Sequence, residues 1–276
     1  MSKTILITGA TGKQGCSVLS NLSQQDSDVE ILAVTRDLVQ GNLDQPEEIF
    51  ETAKKATSQP IWGVYSVQLA NFGGKSDIEE TQGKGLVDAA LKNNVKHFVY
   101  SSVDRGGDAS LDNPTAIPHF RTKHNIELHL ISKTKGTDMT WTILRPVAFL
   151  DGSFVSGFVG RIFATVWKIA LKGKPLQVIA AFTKPDEYKG KGISLAGDEL
   201  SFDEMTNIFK STTGKDVPMT FDIFGRLFMW LVADFGEMFR WFHDDGYKAD
   251  IQAAKKIHPG LKDLRAWLET ESDWRN

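Results

Sequence analysis

Short blocks of apolar, mostly β-branched residues recur along the first half of the chain, separated by stretches whose apolar positions fall at helical spacing. Ile5 to Thr8, Val29 to Val34, Ile61 to Val67, Val95 to Ser101 and Met139 to Arg145 read as strands, the last closed by Pro146. Between them, Val18, Leu19 and Leu22 mark one helix. Ser76 or Asp77 can cap a second, whose apolar face includes Ile78, Leu86, Ala90 and Leu91 and which ends at Asn93-Asn94. His119 to Ser132 is a third. Strands that alternate with helices and are apolar without a period of two predict a parallel sheet covered on both faces.

After Pro146 the rhythm changes. Phe149 to Lys172 is rich in Gly and Phe and carries no clean strand signal. Ile193 to Ala196 can return to the sheet, Phe202 to Thr212 reads as a helix, and Phe221 to Phe242 as a long aromatic helical region. The expected architecture is α/β: a doubly wound parallel sheet over residues 1–148, then a smaller mixed lobe over 149–276 with one or two elements returning to the sheet. One junction resists this plan. The second strand ends near Arg36, and Leu38-Val39-Gln40 already resembles another strand, whereas adjacent parallel strands need a crossover of a dozen or more residues. Residues are therefore expected to be absent between Asp37 and Leu38, and a weaker suspicion of the same kind attaches to Val178 to Phe182.

Composition narrows the function. With 41% hydrophobic and 24% charged residues the chain can bury a sizeable core. A net charge of -3 gives no reason to expect direct nucleic-acid or membrane-surface binding. Lone Cys16 cannot form an intramolecular disulfide and suits a reducing compartment. No targeting signal is expected before Gly9, and the uncharged run Leu227 to Ala233 is far short of a membrane span. A cytoplasmic location is expected, or a nuclear one for a regulator.

The chemistry concentrates first in Gly9-Ala10-Thr11-Gly12-Lys13-Gln14-Gly15, a G-x-x-G-x-x-G turn that follows a strand and opens a helix. Glycines permit the tight turn and a close backbone approach to pyrophosphate, and the helix N-terminus supplies N–H groups to the phosphates. That is the signature of a Rossmann-type dinucleotide site. At the end of the second strand an acidic residue would hold the ribose hydroxyl of NAD, while Arg36 suits the 2′-phosphate of NADP. Asp37 stands one step later, so NADP(H) is preferred and NAD(H) is the alternative.

These residues resemble the NmrA-like family, an atypical branch of the short-chain dehydrogenase/reductase superfamily. The resemblance lies in the glycine turn, Val34-Thr35-Arg36-Asp37, Gln40-Gly41-Asn42-Leu43, Val99-Tyr100-Ser101-Ser102-Val103, Pro118-His119-Phe120 with Lys123, and Ile143-Leu144-Arg145-Pro146. Gly246-Tyr247 and Pro259-Gly260-Leu261 are similar to fungal members. The resemblance implies a cofactor held by Gly9, Thr11, Gly12, Lys13, Gln14, Gly15 and Arg36, with Asn42 and Leu43 near the adenine, and Val67, Gln68, Ser101 and Ser102 along the nicotinamide half. It also implies either a redox-sensing regulator with a protein partner or a true reductase. At Asp37-Leu38 the family pattern would place a helix that this chain lacks.

Short-chain reductases pair a tyrosine with a lysine four residues later, on one helix face, to move a proton. None of Tyr65, Tyr100, Tyr188 and Tyr247 has such a lysine. His119-x-x-x-Lys123 keeps the spacing with histidine in the acid's place. His119 is the candidate acid, Lys123 the candidate for the nicotinamide ribose, and Ser101 or Ser102 could polarise a substrate oxygen. His119, His124 and His129 recur every five residues and do not share a helix face, so no zinc site is expected. The missing tyrosine favours a sensor. The aromatic lobe, with Phe149, Phe154, Phe158, Phe224 and Trp230, favours a reductase of a carbonyl, imine or enone.

Overall fold

The computed structural model describes residues 3–25, 29–35, 41–69, 77–149, 157–179 and 189–274. The first half runs β1 (Lys3–Ile7), α1 (Lys13–Gln25), β2 (Val29–Ala33), α2 (Pro46–Ala56), β3 (Ile61–Ser66), α3 (Asp77–Lys92), β4 (His97–Ser101), α4 (Pro118–Thr134) and β5 (Thr140–Pro146). The second half contains β6 (Ala148–Phe149), α5 (Phe158–Leu171), β7 (Leu176–Ile179), β8 (Lys191–Leu195), β9 (Asp198–Leu200), α6 (Phe202–Thr213), α7 (Asp222–Leu231), α8 (Ala233–Asp244), α9 (Ile251–Ile257) and α10 (Leu264–Thr270). None of the described helices is long and apolar enough to cross a membrane.

Contacts group the chain into two compact units. The first comprises Met1–Val103, Pro118–Arg145 and Ala181–Ile193; the second comprises Asp104–Ile117, Pro146–Ala180 and Ser194–Asn276. The chain thus leaves the first unit at Arg145, and the stretch Asp104–Ile117 groups with the second unit although it lies far upstream.

The main sheet has six strands in the order β2-β1-β3-β4-β5-β8. Neighbours from β2 to β5 pair in parallel. Burial follows this order. Every residue of β4 is buried, and only Lys3 of β1 is exposed, because central strands are covered on both faces. In β2, at the sheet's edge, only Leu32 is buried. Leu6, Val64, Phe98 and Ile143 from four strands form one cluster with Phe50 of α2, Leu86 of α3 and Ile126 and Leu130 of α4. Burying each such side chain stabilises the fold by roughly 1.5–3 kcal/mol.

Helix α2 shows how local sequence sets the elements. Pro46 occupies the first turn, Glu47 and Glu48 face the positive end of the helix dipole, and Lys54 and Lys55 face the negative end. Ile49, Phe50 and Ala53 fall on its buried face. This helix carries the crossover from β2 to β3, and the junction where residues are expected to be absent, at Asp37, Leu38, Val39 and Gln40, lies outside the described residues. The standard Rossmann order, 3-2-1-4-5-6, has one strand beyond the second, and among the described residues no strand lies there.

Three expectations change. Ile78 is exposed, not part of the buried face of α3, while Leu86 and Ala90 are fully covered. Phe158–Leu171 is a helix, unread in the sequence because exposed Phe158 and Val159 blur its apolar face. The aromatic region 221–242 is two helices, α7 and α8, broken at Val232 by a non-helical backbone with φ -110° and ψ 81°. A second sheet of β6, β7 and β9 lies wholly in the second unit, with β6 parallel and β9 antiparallel to β7.

Candidate functional site

The strand order reverses around β1: β2 lies on one side of it and β3 on the other. Ligands in open α/β sheets bind outside the carboxyl ends of the strands at such a switch point. Those ends carry Gly9 after β1, Val67-Gln68 after β3 and Ser101-Ser102 at the end of β4. The sequence expectation and the topology therefore converge on one edge of the first unit.

The glycine turn is built by close approach. Gly9 has φ +62°, in the left-handed region, and a Cβ there would stand 2.7 Å from Val67 Cγ1. Gly12 N–H donates to Gly9 O at 2.8 Å, closing the turn, and Cys16 N–H donates to Gly12 O at 2.8 Å, starting α1. At Gly15 a Cβ would lie 2.2 Å from Gly9 O, so only glycine lets α1 begin against the turn. Thr11, Gly12 and Lys13 are exposed at its tip, where the first N–H groups of a helix have no partner within it. Asn42 organises the approach to α2, its Oδ1 accepting from Asp44 N–H at 3.0 Å, and Leu43 packs against the core. Arg36 lies outside the described residues.

Under the turn lies a polar cluster that the sequence did not announce. Ser101 Oγ donates to Gln14 Oε1 at 2.6 Å, and the Tyr65 hydroxyl donates to the same oxygen at 3.4 Å. Burial pushes the Tyr65 phenol up to about 12, partly opposed by hydrogen bonding with Ser101, so it stays protonated. Gln68, only 4% exposed, donates through Nε2 to Ser66 Oγ at 2.9 Å. Its Oε1 is buried with no hydrogen-bond partner among the described residues. A buried amide oxygen left in that state costs about 1–3 kcal/mol, and a ligand donor at this edge would recover it.

Helix α4 buries His119, Lys123 and Glu127, which recur every four residues on one face. Two partners from elsewhere in the first unit neutralise the charges. Lys123 Nζ lies 2.8 Å from Glu79 Oε1 on α3, with the lysine side chain 11% and the glutamate 1% exposed. The same ammonium lies 6.0 Å from the centre of the Tyr100 ring. Glu127 receives Arg145 in a forked pair, with Nη2 at 2.7 Å and Nε at 3.2 Å from each carboxylate oxygen. Ser102 Oγ donates to the other side of that carboxylate. Each of Lys123, Ser101 and Ser102 thus has an internal partner, buried for Lys123 and Ser102 and half-buried for Ser101, and neither Glu79 nor Glu127 could be read as a partner from spacing.

His119 is 6% exposed. Burial, reinforced by the Lys123 charge, lowers its pKa from 6.5 to about 3, so the imidazole is neutral near pH 7. Between these values the unfolded chain binds a proton that the folded chain refuses. Stability is then fully present above pH 6.5 and is lost as pH falls toward 3. From this group alone the protein should be about 2 kcal/mol less stable at about pH 5 than at about pH 7. Urea unfolding at both pH values checks this. His119→Phe should remove that part of the pH dependence, and an unchanged slope would show that His119 is not the group responsible.

The parallel sheet, its switch point and the glycine turn define a Rossmann-type α/β protein. The NmrA-like family model matches residues 1–156, and the chain belongs to that family. It is 24% identical to the NmrA-like family domain-containing oxidoreductase ptmS of Penicillium ochrochloron over 331 aligned positions, covering 98% of each chain. It is 29% identical to an NmrA-like family domain-containing protein of Dictyostelium discoideum over 254 positions, covering 80% of this chain and 81% of the relative. Among solved structures, the fold is similar to Citrobacter sp. triphenylmethane reductase complexed with NADP(H), with a TM-score of 0.67 at 17% identity, covering 98% of this chain and 100% of that one.

Proposed function

We propose that the chain binds NADP(H) at the glycine turn and acts as a redox-responsive regulator of a protein partner, without the proton-transfer machinery of a carbonyl reductase. Cofactor binding is supported by the glycine cradle, where a side chain at position 9 or 15 would collide, and by the unsatisfied Gln68 oxygen. Thr11, Gly12, Lys13 and Gln14 would hold the pyrophosphate, Asn42 and Leu43 the adenine end, and Val67, Gln68, Ser101 and Ser102 the nicotinamide half. Arg36 would take the 2′-phosphate. The bound dinucleotide would supply or accept hydride.

One observation carries the regulatory reading: the groups able to move a proton are already committed. Lys123 is paired to Glu79, Ser101 to Gln14 and Ser102 to Glu127. His119, held neutral to about pH 3, has no imidazolium proton to give. The same observation shapes the second reading, an NADPH-dependent reductase of a small apolar carbonyl, imine or enone. Without an acid, the favoured acceptor is one already cationic, such as an iminium carbon, which hydride neutralises with no proton needed. A triarylmethyl cation is of that kind, and the structural relative is a triphenylmethane reductase.

Calorimetric titration of the intact protein with NADPH, NADP⁺ and NADH tests the reading. A ratio sensor must let the reduced and oxidised forms compete for one site and favour different states of the protein, because a ligand with equal affinity for two states shifts nothing, so limited proteolysis with each form saturating accompanies the titration. NADPH should bind at least tenfold more tightly than NADH. Arg36→Ala should remove most of that difference, as expected for a charged hydrogen-bond pair worth roughly 1.5–3 kcal/mol. Identical proteolysis patterns with saturating NADPH and saturating NADP⁺ would sink the sensor. Equal binding of NADPH and NADH would remove the role given to Arg36.

A further inference from the structure

The geometry points to a second ligand site, within the second unit, that takes an organic anion with an apolar body, a medium-chain or aryl carboxylate. A cavity of about 570 Å³ opens where the end of α5 meets α7 and α8, lined by Lys172, Arg226, Trp230, Phe239, Arg240 and His243, with Met229 and Asp244 among its neighbours. That volume falls within the range of about 300–1,000 Å³ typical of small-molecule sites.

Its lining combines two chemistries. Phe239 backs the lining, fully buried and held by ring contacts with Phe235 and Phe242 at centroid distances of 4.9 Å and 5.3 Å. Trp230, 76% exposed, offers an indole face that water covers until a ligand does. Lys172, Arg226 and Arg240 bring three cations to the lining against the single carboxylate of Asp244. That carboxylate is engaged by His243, whose Nδ1 lies 2.7 Å away. Lys174 adds a further cation close by, its Nζ donating to His243 O at 2.7 Å. A lining that joins an exposed indole to three cations matches neither inorganic phosphate, which has no apolar surface, nor a neutral alkane, which leaves the guanidinium groups unused. Guanidinium groups bind carboxylates through paired donors, and the Trp230 indole takes the hydrocarbon.

Binding of decanoate, decanol and inorganic phosphate to the intact protein, measured by calorimetry below micelle-forming concentrations, decides the matter. Decanoate should bind and quench tryptophan fluorescence, with decanol and phosphate each at least tenfold weaker. The double variant Arg226→Met/Arg240→Met should weaken decanoate at least tenfold and bring it close to decanol. Trp230→Ala should weaken both decanoate and decanol. All three side chains are exposed, so these variants should melt at the parent temperature. Decanol or phosphate binding as tightly as decanoate, an unchanged double variant, or no decanoate binding at millimolar concentration would each overturn the proposal. NADPH affinity, measured in parallel, is expected to be the same in parent and variants.

Discussion

Gly12→Val should lower NADPH affinity at least a hundredfold in a protein that still folds. The turn places Gly12 at an exposed tip, so no core contact is lost on substitution. A Cβ there would already stand 3.2 Å from Gly9 O, and the branched carbons of valine would occupy the space that a pyrophosphate needs against the turn. A hundredfold loss corresponds to about 2.7 kcal/mol. Calorimetry with NADPH, alongside a thermal melt, checks both halves of the expectation. Gly15→Ala provides the contrast. Its Cβ would collide with backbone at 2.2 Å, so it should lower the melting temperature as well as the affinity. An unaltered NADPH affinity in folded Gly12→Val protein would mean that this turn does not hold the cofactor.

The second large effect is expected at Glu127. Its carboxylate is fully buried and is shared by Arg145 and Ser102. Glu127→Ala would leave the Arg145 guanidinium, itself 5% exposed, without its counter-charge. Removing one partner of a buried pair typically costs about 3–5 kcal/mol, whereas replacing both by apolar residues of similar volume is often nearly neutral. Glu127→Ala should therefore destabilise the protein by about that amount, seen as a lower urea midpoint. Glu127→Leu/Arg145→Met should recover most of the loss. A single-variant loss under about 1 kcal/mol would show that water reaches Arg145 and replaces the carboxylate.

Lys123→Ala cannot by itself report on cofactor binding, because it also strands the buried Glu79 carboxylate. The pair Lys123→Met/Glu79→Gln separates the two effects, removing the charge from both partners together.

The strands of the six-stranded sheet and the glycine turn were legible because their causes are local, while β6, β7 and β9 of the second sheet were not read. Central strands of a parallel sheet must be apolar on both faces, and Ile5 to Thr8 and Val95 to Ser101 carry that continuous pattern. The turn shows itself through Gly9 and Gly15, where any Cβ would collide with its neighbours. Helix α5 hid for the opposite reason: its exposed face carries Phe158 and Val159 beside Arg161 and Lys168, so apolar residues on both faces blur its period. The break at Val232 was invisible because neither proline nor glycine marks it, the nearest glycine, Gly236, lying inside α8. At the site, the spacing of His119 and Lys123 put both on one helix face, and the structure buries that face. It could not reveal that Glu79 stands against Lys123, because that partner comes from another helix through the fold and not through the sequence. The same holds for Arg145 and Glu127, brought together from β5 and α4.

The most direct test of an NADP(H)-binding protein without an acid is to load it with NADPH, challenge it with a panel of aldehydes and ketones, and follow nicotinamide oxidation by absorbance. The account predicts that NADPH binds, shown by a change in its fluorescence, and is consumed no faster than in buffer. Carbonyl-dependent NADPH oxidation that scales with protein concentration and disappears in His119→Phe would contradict it.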